Sequence, residues 1–373
     1  MSAPLPSTVL DDLGWLAIVV IHILILVLLT WTLIIRRMRL SADQRRQAVA
    51  TVWRPILSES LIEPPASLPA IHPRDHILFL YLWNHLQESI KGEPSNELCK
   101  IIYRTKMDAV VHQYLATGTM RQQLLALVTL GHMKEATVWP RLVDLAHADN
   151  AFLSIEAARA LMRIDAPGAI PVLVPLIARR DDWSLLKVLA ILQSVQGYGE
   201  HLVAQALGEA AQQATPMIAA RLIRFLAFIR NYRALPFIRP LLDRQPLHED
   251  ILASCLSMFG QCGDPHDLPV VRRHLTHPTW FIRVQAATAL GKMGVEEDET
   301  LLIKLLEDTH WWVRYRGAEA LSILPTMTDE KLTLLVQTLP PGEGRHILTP
   351  FVAKRIEASL AAAPETPGLS TAA

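Results

Sequence analysis

The chain has 373 residues, 51% of them hydrophobic, and its 36 basic and 36 acidic residues leave no formal net charge. That length holds two or three domains or one long repeat array, and a neutral chain is not built as a general basic surface for nucleic acid. Three cysteines, Cys99, Cys255 and Cys262, lack CxxC spacing, which argues against a disulfide framework or a zinc site and fits a reducing compartment.

Residues 1–12 are a short tail ending in Asp11 and Asp12. Leu13 to Ile35 then runs for 23 residues without Asp, Glu, Lys or Arg. At about 1.5 Å per residue, a helix of that length crosses a hydrocarbon core of roughly 30 Å. Trp15 and Trp31 stand near its ends, where indoles favour the headgroup level, and Arg36, Arg37, Arg39, Arg45 and Arg46 follow it. The expectation is a single-pass anchor in the inner membrane, with the N-terminus outside and the remainder in the cytoplasm. An acidic start, a long apolar run and no small-residue cleavage site argue against a signal peptide. His22 lies mid-span without a second ionisable residue, which suits a helix contact better than a proton relay.

Residues 36–54 read as a basic juxtamembrane helix, with Ser41 as a possible cap, and residues 55–74 as a stiff linker carrying Pro55, Pro64, Pro65, Pro69 and Pro73. Residues 75–117 are a helical lead-in, with helices expected over about 75–90 and 96–116. The first of these is apolar nearly all round and should be covered on both sides.

From residue 118 the chain repeats itself. LLALVTLGHM at 124–133 is echoed 31 residues later by IEAARALMRI, and ALPFIRPLL at 234–242 is echoed 33 later by DLPVVRRHL. PTWFIRVQAATAL at 278–290 is echoed 31 later by THWWVRYRGAEAL at 309–321. Pro140, Pro171, Pro236 and Pro269 recur at the start of each second half-unit, where a first-turn proline is at home. Val313, Gly317, Ala320, Leu321 and Leu324 fall on one helical face. Each unit therefore reads as two helices and a polar turn, with about seven units over 118–339. The third unit is irregular, with Gly197-Tyr198-Gly199 at its turn. Residues 340–373 hold a last helix and a small-residue tail.

EDTHWWVRYRGAEAL, HPTWFIRVQAATALGKMG and ADNAFLSIEAARALMRIDAPGAIPVLVPLI resemble HEAT repeats of the short bacterial type associated with phycobilin lyases. The resemblance covers roughly 118–339. It implies an α-solenoid of helical pairs; with the single N-terminal transmembrane helix read above, which lies outside the resemblance, the expected fold class is all-α. It also implies a concave face that holds another macromolecule. Function does not follow from such a fold. Anchor and solenoid together lead to the expectation of a membrane-anchored scaffold with protein partners and the lipid bilayer, accessory to an envelope polysaccharide, secretion or signalling assembly. No nucleic acid is expected.

Two alternatives come from the same resemblance and from charge. One is an enzyme of lyase-like or metal-dependent type, since some HEAT-repeat hydroxylases hold di-iron with repeated His-Glu pairs. Only His248-Glu249 has that order here, and no Walker, GxGxxG, GxSxG or HExxH motif is present. No catalytic residue, metal ligand or cofactor is therefore assigned. The other is an anionic-ligand sensor at 215–245, where Arg221, Arg224, Arg230 and Arg233 lie close in sequence and Arg221 and Arg224 share a helix side. A second binding candidate is Trp311 with Arg314 and Arg316, because Trp and Arg dominate interface hot spots. Trp312 and Phe281 read as packing residues.

Overall fold

The computed structural model describes residues 7–62, 65–90, 93–195, 198–244 and 246–362, with side chains described over 22–359 except at 42, 93, 94 and 198. Among the described residues every element is helical. They form two compact units that meet between Glu135 and Ala136 in sequence.

The first unit opens with α1 (Ser7–Glu59), which runs unbroken through Ser41 and Pro55. The juxtamembrane helix and the start of the expected linker are thus one helix. Its last turns persist because Trp53 and Leu57 are buried there, with Trp53 edge-on to Phe79 at 4.7 Å. Hydrophobic burial of about 2 kcal/mol per large side chain offsets the one backbone hydrogen bond that Pro55 forfeits.

The inner-membrane placement is corrected. Among the described residues no helix is long and apolar enough to cross a membrane. Trp31, Arg36, Arg37 and Arg39 are exposed on this helix, and the side chain of Trp15 lies outside the described residues.

Three further helices and the last of the unit are α2 (His76–Ser89), α3 (Glu93–Arg104), α4 (Met107–Thr117) and α5 (Met120–Met133). Phe79, Leu80 and Trp83 of α2 are fully buried, as its apolar pattern requires. Trp83 satisfies its indole N–H on the Leu98 carbonyl at 2.9 Å. The stretch 96–116 is two helices, because Lys106 turns left-handed at φ 56° and caps α4. Thr119 and Gln122 close a reciprocal cap on α5. Buried Asn84 donates to Thr129 at 2.9 Å and so ties α5 to α2. The division between units therefore falls inside the stretch read as the first repeat.

The second unit contains α6 (Trp139–Ala146), α7 (Ala151–Ile164), α8 (Ala166–Arg179), α9 (Leu185–Gln193), α10 (Tyr198–Gln213), α11 (Pro216–Phe228) and α12 (Leu235–Ile238). It continues with α13 (Glu249–Cys262), α14 (Leu268–Arg273), α15 (Trp280–Met293), α16 (Glu299–Leu305), α17 (Trp311–Ile323), α18 (Asp329–Thr338) and α19 (Glu343–Ala362). From α11 onward the first helices α11, α13, α15, α17 and α19 each pack on the next. The short second helices α14, α16 and α18 rest on the first helix that follows them. Pro140, Pro236 and Pro269 stand in first turns. Pro171 does not: Asp165 caps α8 through the Gly168 N–H at 3.2 Å, so the helix starts one turn earlier at Ala166-Pro167 and carries Pro171 inside it.

Small residues set the spacing between neighbours. A Cβ on Gly260 would stand 2.5 Å from Cα of Ala289, and one on Gly291 would stand 2.6 Å from Cα of Ala320. The same glycine-on-alanine contact thus recurs one period on, joining α13 to α15 and α15 to α17. Val313, Ala320, Leu321 and Leu324 are all buried, as is Gly317.

Candidate functional site

The second unit holds its helices in place with two sets of arginines, and these decide which basic residues remain for other tasks. In the first set, Arg239 of the segment after α12 donates from Nε to Asp267 at 2.8 Å and also pairs with Asp264. One period later Arg272 of α14 donates to Asp298 from Nε at 2.6 Å and from Nη2 at 3.0 Å. Asp267 and Asp298 are buried, so each pair is a fixed clasp between consecutive second helices. The His266 ring and N–H, with Arg239, hold the Asp264 carboxyl down at about 2.

In the second set, Arg283 grips both oxygens of Asp308 at 2.8 Å and donates to the His277 and Pro278 carbonyls. Arg314, 31 positions on, donates likewise to the Asp308 and Thr309 carbonyls and to Glu343. Its side chain is only 15% exposed. Arg314 therefore braces the start of α17, and this bond pattern is the structural equivalent of that of Arg283. Burial alone would raise the Asp308 carboxyl, yet the Arg283 guanidinium and the His310 N–H bring it below its ordinary value.

Around these braces lies the aromatic cluster. Trp280 stacks on His310 at 4.2 Å, Trp311 stacks on Tyr315 at 5.1 Å, and Trp312 meets Trp311 edge-on at 4.8 Å. Trp280, Trp311 and Trp312 are 41%, 45% and 47% exposed, so Trp312 is as open as its neighbour and not a seam residue. Arg316 pairs with Glu319 and sits 5.8 Å over the Tyr315 ring. The geometry is a half-exposed aromatic strip with its nearest cation already matched by a carboxylate.

The four arginines of 215–245 do not form one patch. Arg221 and Arg224 both line a groove of about 350 Å3 with Asp181, Trp183, Leu185, Phe225 and Phe228. Arg221 is bonded there to the Asp181 carboxylate and the Arg180 carbonyl. Arg224 is exposed. Arg230 lines a separate depression with Glu200, Asn231 and Tyr232. It takes a left-handed conformation at φ 51°, which costs a non-glycine residue about 1 kcal/mol. Arg233 is exposed beside the Tyr232 ring, 5.9 Å away.

The histidine and cysteine signals resolve into local structure. His248 accepts the Asp250 N–H at 3.3 Å and so starts α13, and His277 accepts the Thr279 N–H at 3.1 Å. His274 bonds the Val270 carbonyl. Cys255 is fully buried and burial pushes its thiol up to about 12. Among the described residues no group of three or more His, Cys, Asp or Glu could hold a metal ion.

Sequence reasoning missed the apolar lining at Trp183, Leu185 and Phe228, because no motif marks an uncovered groove. The Arg239 and Arg272 clasps were legible: both arginines occupy the sixth place of the echoed ALPFIRPLL and DLPVVRRHL. Residues 274–344, from the end of α14 to the start of α19, match the family model for HEAT repeats. No curated protein matches the chain. The fold class is thus a helical-repeat protein with HEAT similarity over its later units, a class used for protein–protein interaction.

Proposed function

We propose that this chain is a non-catalytic scaffold that docks other proteins on the stacked helical pairs of its second unit. The observation that carries the reading is the aromatic strip: three half-exposed tryptophans, Trp280, Trp311 and Trp312, on the segment similar to HEAT repeats. Exposed indoles are costly to leave in water and are the residues most enriched at binding hot spots. Arg314 holds the strip in place and Arg316 borders it, with Glu319 limiting its charge.

Affinity purification of the full chain after mild crosslinking in its own cells tests the reading. A partner recovered in fixed ratio is expected, and Trp311→Ala with Trp312→Ala should weaken its capture about tenfold or more. Recovery of the chain alone, or a partner indifferent to both substitutions, overturns docking at this strip.

A further inference from the structure

We infer that the groove between α9 and α11 is the seat of an acidic amphipathic helix from a partner protein. The inference rests on the docking reading and adds to the aromatic strip a second site with its own ligand chemistry. It starts from a break in the packing. On one side α11 packs closely against α13, but on the other it meets α9 only sparsely. α9 is short, Leu185–Gln193, and it begins after the Arg180–Ser184 stretch. α10 and, less extensively, α8 also pack on α11, so the open part of its surface is the stripe that faces α9.

The uncovered face is specific. Met217, Arg221, Arg224 and Phe228 fall at i, i+4, i+7 and i+11, one stripe along α11. Met217 and Phe228 are 77% and 56% exposed, and Leu185, which also lines the groove, is 44% exposed. Trp183 and Phe225, both buried, form the floor. Four of the seven groove residues, Trp183, Leu185, Phe225 and Phe228, are thus apolar, and Arg221 stands 5.8 Å over the Phe225 ring.

Charge selects the occupant. Arg224 stands exposed with no carboxylate bonded to it among the described residues. Arg221 is already matched by one carboxylate, that of Asp181, whose side chain is 94% exposed, which leaves Arg224 as the cation for the occupant. An incoming segment with apolar residues on one stripe and Asp or Glu beside it would cover Leu185 and Phe228 and pair with Arg224. The stripe from Met217 to Phe228 is about 16 Å long, three turns of helix. The vacancy is flanked by helices, so helix-in-groove recognition fits it.

Selection of a display library of peptides of about 15 residues on the full chain tests the site. Peptides with Leu on one face and Glu beside it should be enriched. Phe228→Glu should weaken them about tenfold or more, and Arg224→Glu should shift enrichment towards Lys at the former Glu positions. Both substitutions fall on exposed side chains, and circular dichroism confirms that the helices persist. Enrichment of no acidic amphipathic class, or equal binding by both variants, overturns the inference. So does binding of inorganic phosphate or phosphatidylglycerol vesicles through Arg224 in place of peptide. The two readings fail separately: acidic amphipathic peptides that still bind the R224E/F228E chain overturn the groove and leave docking at the aromatic strip standing, whereas a chain recovered alone from cells overturns docking itself.

Discussion

Asp298 shows what a single residue does in this array. Its side chain is 1% exposed, it receives two bonds from Arg272, and it accepts the Val295 N–H at 2.9 Å. Asp298→Ala leaves the part-buried Val295 N–H and the Arg272 guanidinium without their acceptor. The expected loss is about 2–4 kcal/mol, read as a lower urea midpoint. Asp298→Asn keeps an acceptor for Val295 and should lose less. Asp264 adds a pH signature. Its carboxyl is held at about 2 in the folded chain, below the unfolded value of about 4. The stability it contributes is complete above pH 4 and is lost as pH falls through about 2. Urea melts across that window should show Asp264→Asn declining less steeply than the parent chain.

Thiol chemistry belongs to the same scale. Cys255 lies in the face of α13 that packs against its neighbours, and its raised thiol is protonated at neutral pH. It should resist an aromatic disulfide reagent at pH 8 in the folded chain and react once urea unfolds it. Rapid labelling of Cys255 without denaturant would contradict its burial.

Between elements, close approach replaces large side chains. Glycine to alanine in an exposed helix usually stabilises by about 1 kcal/mol. At Gly291 the sign should reverse, because the added Cβ meets backbone Cα of Ala320 and not a movable side chain. Gly291→Ala is expected to destabilise by about 1–3 kcal/mol in denaturant unfolding. Gly263, at φ 70° and with open space around its Cα, serves a different purpose: it ends α13 in the left-handed conformation. The echoed WFIRVQAATAL and WWVRYRGAEAL stretches are therefore packing units first. Ala289 and Ala320 receive the preceding glycines, and Arg283 and Arg314 brace the helix starts.

Across the molecule, stability is distributed by neighbours. In a stacked array each element contacts those beside it, so damage spreads locally. Leu290 is fully buried in α15. Leu290→Ala should cost about 2–5 kcal/mol. Hydrogen exchange should show protection falling first in α13, α15 and α17, while α2, α4 and α5 of the first unit keep theirs. Uniform loss across both units would show that they unfold as one.

Much of the helical array was legible in the chain by itself. Period, helix faces and small-residue positions depend on local spacing, and apolar residues such as Val313, Leu321 and Leu324 went to the core where their 3.6-residue pattern placed them. First-turn proline read well at Pro140, Pro236 and Pro269 but not at Pro171, where the Asp165 cap one turn earlier won. The apolar run at 13–35 was the least secure guide, since among the described residues no helix is long and apolar enough to cross a membrane. Tertiary structure alone decided how the arginines are used. Arg314 and Arg221 have the same side chain as Arg224, but partners 25 or more positions away, Glu343 and Asp181, engage the first two. Whether a charge is engaged and whether an apolar face is covered both depend on what packs against it, and that is set by contacts distant in sequence.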